Sequence, residues 1–229
     1  MPAKLSVVIP IFNAERLIQE NVSKVVKVLS GSDLDYEILL CDDASSDLSM
    51  ARLQELSWQY PFVRISKNVT NKGLGFTLRR LFQQAKGEFI LYCDCDLPFG
   101  ADILINTLDE IKDCDIVVFS RYKDIKNEIP WARFMMSRMY YLMCRILFLI
   151  SVADIGSGTV CLRKSVLEKM HLTADGFDIH AQLFIQAKAC QARVKEIPAK
   201  VAHADKGSFV ILKHGWKLTW DTLKLRLGL

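Results

Sequence analysis

The sequence predicts an α/β fold, a mostly parallel sheet flanked by helices in a single domain. Three observations predict it. Between Leu5 and Ser120, short apolar runs alternate with stretches whose apolar residues recur at helical spacing, the pattern of strand–helix crossovers. The runs are apolar nearly throughout, as strands covered on both faces are. Polar residues recur just past the runs, at Asn13, Asp42 with Asp43, Asp94 with Asp96, and Arg121. Ligands on such sheets bind beyond the carboxyl ends of the strands, so these residues are expected to gather along one edge.

The elements follow in order. Leu5–Pro10 (LSVVIP) reads as the first strand. Glu15–Leu29 has Leu17, Ile18, Val22, Val25, Val26 and Leu29 at helical spacing, and Gly31 stops it. Tyr36–Cys41 is the second strand, and Asp47 is expected to N-cap a helix running to about Tyr60. Phe62–Ser66, Phe89–Cys93 and Asp115–Ser120 read as further strands, Gly73–Lys86 and Ala101–Lys112 as the helices between them. After Arg121 the alternation lapses. Residues 121–145 hold Arg121, Lys123, Lys126, Arg133, Arg138 and Arg145 against Asp124 and Glu128, interleaved with methionines and tyrosines. ADIGSGTVCLRKSVLEKM then reads as a loop, a short strand and a helix, Phe177–Cys190 as a helix, and Arg193–Ile197 as the last strand. We expect the main domain to occupy residues 1–209. In the tail, 210–229, a helix would put Trp216, Trp220, Leu223 and Leu227 on one face and Lys213, Lys217, Lys224 and Arg226 elsewhere. Such a face suits an anionic membrane interface or, equally, docking on the domain or a partner.

Composition sets outer bounds. The 229 residues, 51% hydrophobic and 24% charged, can build one large core without staples. A net charge of +4 suits an anionic ligand or membrane surface and is too small to argue for nucleic acid. Seven cysteines lie scattered in apolar stretches, and Cys93 with Cys95 lacks the further ligands of a zinc site. Reduced, mostly buried thiols in a cytoplasmic chain are expected. No signal peptide is visible, and the longest apolar stretch, Met139–Ala153, is interrupted by Arg145 and too short to span a bilayer.

Residues 91–96, LYCDCD, pose the chemical question. Carboxylates one residue apart on a strand would point the same way and could share a hard divalent cation, Mg²⁺ or Mn²⁺. Mg²⁺ usually takes one or two carboxylates plus substrate phosphates, so the pair predicts a metal held mainly by a phosphorylated ligand. A solvated acidic loop is the alternative.

Context favours the metal. SVVIPIFNAERLI, EILLCDDASSD and NKGLGFTLRRLFQQAKGEFILYCDCD, in that order, together resemble the GT-A glycosyltransferases of family 2, which bind nucleotide sugars. Within the family the chain looks most like the dolichyl- or polyprenyl-phosphate hexose synthases. The resemblance implies roles position by position. Pro10, Phe12, Asn13 and Glu15 match the first nucleotide-contacting motif, with Phe12 where Tyr is usual. Asp42 and Asp43 match the pair whose carboxylate reads the nucleobase, and an acceptor-only carboxylate suits the ring N–H of uracil or guanine. Asn71 and Lys72, with Gly73 and Gly75, match the segment leading into the third helix, where a tight turn explains the glycines as well as a phosphate cradle does. Asp94, Cys95 and Asp96 match the metal- and donor-binding motif, although Pro98 stands where several synthases carry a polar residue. Arg121 matches a basic residue of the site, and Arg133 and Ser137 a pair associated with the acceptor phosphate, for which arginine's planar fork is suited. HADKGSF resembles a later phosphate-contacting segment, leaving Lys206 and Ser208 as its candidates.

Asp178 falls where many members place an acid near the acceptor. Transfer to a hydroxyl needs a base, whereas a phosphate monoester is already largely deprotonated at neutral pH. With a lipid phosphate, Asp178 would orient the sugar or a basic neighbour; otherwise it reads as a first-turn helix carboxylate. His180 reads as a surface or core histidine. The resemblance thus implies an inverting, metal-dependent hexosyltransferase using a UDP- or GDP-linked sugar. Its acceptor would be a polyprenyl phosphate at the cytoplasmic membrane face or, alternatively, a glycan hydroxyl. A non-catalytic nucleotide-sugar binder fits the acidic pair poorly.

Overall fold

The structure, a computed structural model, describes residues 4–123, 127–202 and 208–227, the last with backbone only for 208–214 and 227. Seven strands make one sheet: β1 (Leu5–Ile11), β2 (Tyr36–Asp42), β3 (Val63–Lys67), β4 (Phe89–Cys93), β5 (Ile116–Ser120), β6 (Thr159–Arg163) and β7 (Val194–Pro198). Among the described residues, eight helices connect and cover them: α1 (Ile18–Ser30), α2 (Ser49–Gln59), α3 (Leu74–Gln84), α4 (Ile103–Glu110), α5 (Trp131–Phe148), α6 (Lys164–Leu167), α7 (Ile179–Ala189) and α8 (Ser208–Leu227).

Strand order is β3-β2-β1-β4-β6-β5-β7. All neighbours run parallel except β6, which is antiparallel to β4 and β5. Alternate side chains of the central strands feed two cores, one on each face. Leu5, Val7, Ile9 and Ile11 of β1 pack with Val22, Val25 and Leu29 of α1 and Leu53 of α2. Val8 of β1, with Ile90 and Tyr92 of β4, packs under Leu78 and Leu81 of α3 and Ile179 and Leu183 of α7. Burial on both faces explains why the strands read as unbroken apolar runs. Ser6 is one buried polar exception; it donates to Glu37 Oε1 (2.7 Å) and accepts from the Gly87 N–H (2.8 Å).

The sheet is mostly parallel, as expected, with β6 inserted backwards between β4 and β5, so its N-terminal end lies beside their C-terminal ends. The helix expected from Lys164 is a single turn. Asp47 is not the N-cap of α2; that position is Leu48. The Asp47 carboxylate instead accepts from the Ser49 and Glu15 N–H groups. The first helix starts at Ile18 rather than Glu15, because Glu15 is tied to the loop after β2. The seven cysteines are free thiols, five of them buried. Among the described residues no helix is long and apolar enough to cross a membrane.

Helix α8 packs on α5 and α7, and Tyr140 and Thr222 hydroxyls share a hydrogen bond of 2.8 Å. The outer face of this pair is apolar. Trp131, Met135, Met139, Leu142, Ile146 and Leu149 recur along α5 and its cap, all exposed, and Trp216 and Trp220 stand exposed on α8, Trp216 at 83%.

Candidate functional site

The loops after β1 and β2 are bolted to each other. Asn13 N–H donates to Ser45 Oγ (2.9 Å) and Asn13 Oδ1 accepts from Ser46 N–H (2.9 Å). Ala14 N–H donates to Ser49 Oγ (2.8 Å), and Glu15 Oε2 accepts from Leu48 N–H (2.9 Å). Phe12 stands at the lip, 53% exposed, with Pro10 half-buried beneath it. Asn13 and Ala44 have left-handed backbones, φ 49° and 57°.

Asp42 and Asp43 lie deeper than a nucleobase-reading pair need be. Asp42 is fully buried and accepts from Ser45 N–H at 3.2 Å. Asp43 is 4% exposed, and its Oδ1 accepts from Asn68 Nδ2 (2.7 Å) and Lys72 N–H (2.8 Å), its Oδ2 from Gly73 N–H (2.8 Å). An ionised carboxylate has about four acceptor sites, so Asp43 Oδ2 keeps one. Lys72 thus meets Asp43 through its backbone, while its side chain is exposed, and Asn71 Nδ2 reaches the Asp43 carbonyl only at 3.4 Å. The glycines answer a close approach: a Cβ on Gly73 would lie 2.4 Å from the Asp175 carbonyl oxygen, and one on Gly75 2.2 Å from that of Ala174.

At the end of β4 the backbone turns. Asp94 follows the strand directly, Leu97 N–H bonds back to the Asp94 carbonyl (3.0 Å), and Leu97 has φ 47°. The pair is therefore held by a turn, not by strand spacing, which corrects the alternation argument. Asp94 is half-buried and Asp96 exposed. Burial first, and then the neighbouring Asp96, push the Asp94 carboxyl up to about 7. Cys95 offers its carbonyl to Asn21 Nδ2 (2.8 Å), and burial pushes its thiol up to about 12. The donor set, two carboxylate oxygens, suits a hard cation. Glycine makes room for the first of them: Asp94 Oδ2 lies 2.4 Å from where a Cβ on Gly158 would be, a space only glycine leaves open. Among the described residues no three acidic, cysteine or histidine side chains converge, so the remaining ligands of a metal would come from elsewhere.

Arg121 sits beside this turn but is largely committed. Its Nε and backbone N–H donate to Asp154 Oδ2 (2.9 and 3.0 Å), and its Nη2 to the carbonyls of Ser157 (2.7 Å) and Gly156 (3.2 Å). It fixes the loop before β6, and its charge acts on Asp94, as does that of Arg133 on α5. The charges of Arg121 and Arg133 thus both reach Asp94. Ser137 hydrogen-bonds the Tyr122 hydroxyl instead. Asp178 occupies the N-cap position of α7 without a capping bond, is 6% exposed, and has its carboxyl raised by burial, with Asp221 and Asp175 adding to it. Lys206, His203 and Ala204 lie outside the described residues, as does the side chain of Ser208.

Sequence reasoning missed Asp154, Tyr92 and Gly158, and passed over His180. Asp154 pairs with Arg121 across 33 residues, a distance no local pattern spans. Tyr92 carried a signal: it is the polar-tipped residue in an apolar run, two before Asp94.

The sequence profile of glycosyl transferase family 2 matches residues 6–170. The chain belongs to glycosyl transferase family 2. Among curated members, the dolichol-phosphate mannosyltransferase of Pyrococcus furiosus is 34% identical over 200 residues, 85% of this chain and 55% of that protein. An undecaprenyl-phosphate 4-deoxy-4-formamido-L-arabinose transferase from Proteus mirabilis is 28% identical over 211 residues, 89% of this chain and 60% of its own length. The chain therefore spans little more than half the length of these relatives. Glucosyl-3-phosphoglycerate synthase from Mycobacterium tuberculosis, solved with Mn²⁺ and UDP-glucose, superposes with a TM-score of 0.75 at 15% identity, over 99% of this chain and 80% of that one. The likeness places the chain in the GT-A fold of this glycosyltransferase family.

Proposed function

We propose that this family 2 chain transfers a hexose from a nucleoside diphosphate sugar to a polyprenyl phosphate at the cytoplasmic face of a membrane. The observation that carries the reading is the convergence of the Asp94–Asp96 turn with the charges of Arg121 and Arg133. Carboxylates serve a cation; arginines serve phosphates. The two relatives whose names specify a lipid-phosphate acceptor support the acceptor class.

The chain's own residues divide the work. The bolted loops carrying Phe12, Asn13 and Asp43 form a rigid lip for the nucleoside, where Asp43 Oδ2 retains an acceptor site. Asp94 and Asp96 would hold Mg²⁺ or Mn²⁺, which supplies Lewis-acid neutralisation of the departing diphosphate. Arg133, on the amphipathic helix α5, faces the acceptor phosphate. Arg121 acts by fixing the 154–158 loop and by its field. The acceptor oxygen attacks opposite the diphosphate, with inversion. It arrives already deprotonated, so no base is required. The raised carboxyl of Asp178 favours one other reading, a hydroxyl acceptor deprotonated by Asp178.

A bilayer-resident acceptor needs a catalyst that lies on the bilayer. The apolar outer face of α5 and α8, with exposed Lys217 and Arg226 alongside, suits an anionic interface.

The test is thermal stabilisation by a panel of UDP- and GDP-sugars with and without Mn²⁺, followed by transfer to polyprenyl phosphate in vesicles. One donor is expected to stabilise only with Mn²⁺, and Asp96→Asn to abolish that dependence. Stabilisation by no donor, or equal stabilisation of Asp96→Asn, overturns the donor site. Loss of transfer in Asp178→Asn with donor binding intact, and activity on a glycan alone, would select the hydroxyl acceptor.

A further inference from the structure

Tyr92 is 1% exposed, on the face of β4 that packs under α3 and α7. A buried phenol requires partners for its hydroxyl, and this one has two. It donates to Asp94 Oδ1 and lies 3.1 Å from His180 Nε2. The phenol has one proton. With that proton on the bond to Asp94, the bond to His180 must be made by an imidazole N–H, so His180 carries its hydrogen on Nε2. The two rings stack with centroids 5.7 Å apart and planes 23° apart. His180 stands in the first turn of α7, two residues after Asp178. A line of donors therefore runs from α7 through β4 to the first carboxylate of the acidic turn.

Asp94 is gripped on its other sides as well. Its backbone N–H donates to the Gly158 carbonyl (2.8 Å), and its Oδ2 rests against the Gly158 backbone. Tyr92 holds Oδ1, Gly158 confines Oδ2, and rotation about the side chain is closed off. Asp96, two residues on, is exposed.

We propose that Tyr92 and His180 are positioning residues for the acidic pair: a two-link donor chain that locks the Asp94 carboxylate in the orientation from which it joins Asp96 in holding a divalent cation. The proposal rests on the reading of Asp94 and Asp96 as a cation site. It adds that half of this site is prepared by α7, the helix that also carries Asp178, so the two ends of the reaction share one rigid support. Outer partners of metal-binding side chains commonly change metal affinity by about 10–100-fold when removed.

The experiment measures Mn²⁺ binding by electron paramagnetic resonance, with UDP and with GDP, on the full chain. Tyr92→Phe keeps the ring and removes the hydroxyl. It should weaken Mn²⁺ binding by about tenfold or more, with the melting temperature nearly unchanged. His180→Phe keeps the stacked ring and removes the donor; it should weaken binding in the same direction by less, and His180→Gln, which keeps an N–H, should recover part of the loss. In transfer assays, Tyr92→Phe should raise the Mn²⁺ concentration needed for half-maximal rate and leave the rate at saturating Mn²⁺ largely intact. A general packing defect would not produce that split. If Asp94→Asn loses Mn²⁺ while Tyr92→Phe and His180→Phe, both folded, bind it as the parent does, the donor chain is overturned and the cation site stands. If the parent binds no Mn²⁺ with either nucleotide, both fall.

Discussion

Single residues in the loops set how closely the segments of this site approach. A Cβ on Gly75 would sit 2.2 Å from the Ala174 carbonyl oxygen, with backbone rather than a flexible side chain in the way. Gly75→Ala should therefore cost about 1–3 kcal/mol of stability, the usual range for forced overpacking. Gly31 is the contrasting case. Its φ is −80° and its nearest neighbours would lie at 3.6 Å, so Gly31→Ala should gain about 0.4–1 kcal/mol by restricting the unfolded chain. Urea denaturation of the two variants measures both, and equal effects would contradict the packing described. Asp47 makes a pH-dependent contribution. Partial burial raises its carboxyl, but bonds from Ser49 and Glu15 outweigh this and hold it below the usual carboxylate value. A depressed folded value stabilises fully above the unfolded value, about 3.9, and fades as pH falls through the folded one. Asp47→Ala should thus cost roughly 0.5–1.5 kcal/mol at pH 7, a difference that shrinks toward pH 3. A deficit constant with pH would show that the carboxylate's charge plays no part.

Elements differed in how much of themselves they displayed. The strands β1, β2, β4 and β5 were legible because both faces are buried, leaving runs such as LSVVI and FILYC. Ends of helices were less so: the start of α1 is decided by Glu15 bonding to a loop 33 residues away. The direction of β6 was not legible at all, since TVCLR is buried alike in either sense. The same holds for the site. Its carboxylates and arginines announced themselves by position, whereas the bonds that orient them, Arg121 to Asp154 and Tyr92 to Asp94, depend on pairings made only in three dimensions. Helix α5 shows a further gap between pattern and placement. Its basic residues stood out in sequence, yet its outer stripe of Met135, Met139, Leu142 and Ile146 is apolar and exposed. Exposed apolar area of this kind marks a contact surface. The expectation at this scale is that vesicles containing anionic lipid shift the fluorescence of Trp216 and Trp220 to the blue, and that Met139→Glu with Ile146→Glu abolishes the shift. Emission unmoved by vesicles would remove the membrane from the account.

On the scale of the whole molecule, the sheet has two histories. The strands β3-β2-β1-β4 are contiguous and parallel and are complete by Cys93. Among the described residues β5 pairs only with β6 and β7, and both come much later in the chain. A polypeptide emerging from the ribosome therefore has the loops after β1 and β2 and the acidic residues after β4 in hand before the Asp154 partner of Arg121 has been made. Only when β6 slides in backwards between its neighbours do Asp154, Gly158 and Arg121 reach the acidic turn together. Closing so long a loop is slow rather than costly, since the entropic penalty grows only with the logarithm of its length. A nascent chain that has not yet reached β6 thus carries half a pocket, without the glycine against which Asp94 rests.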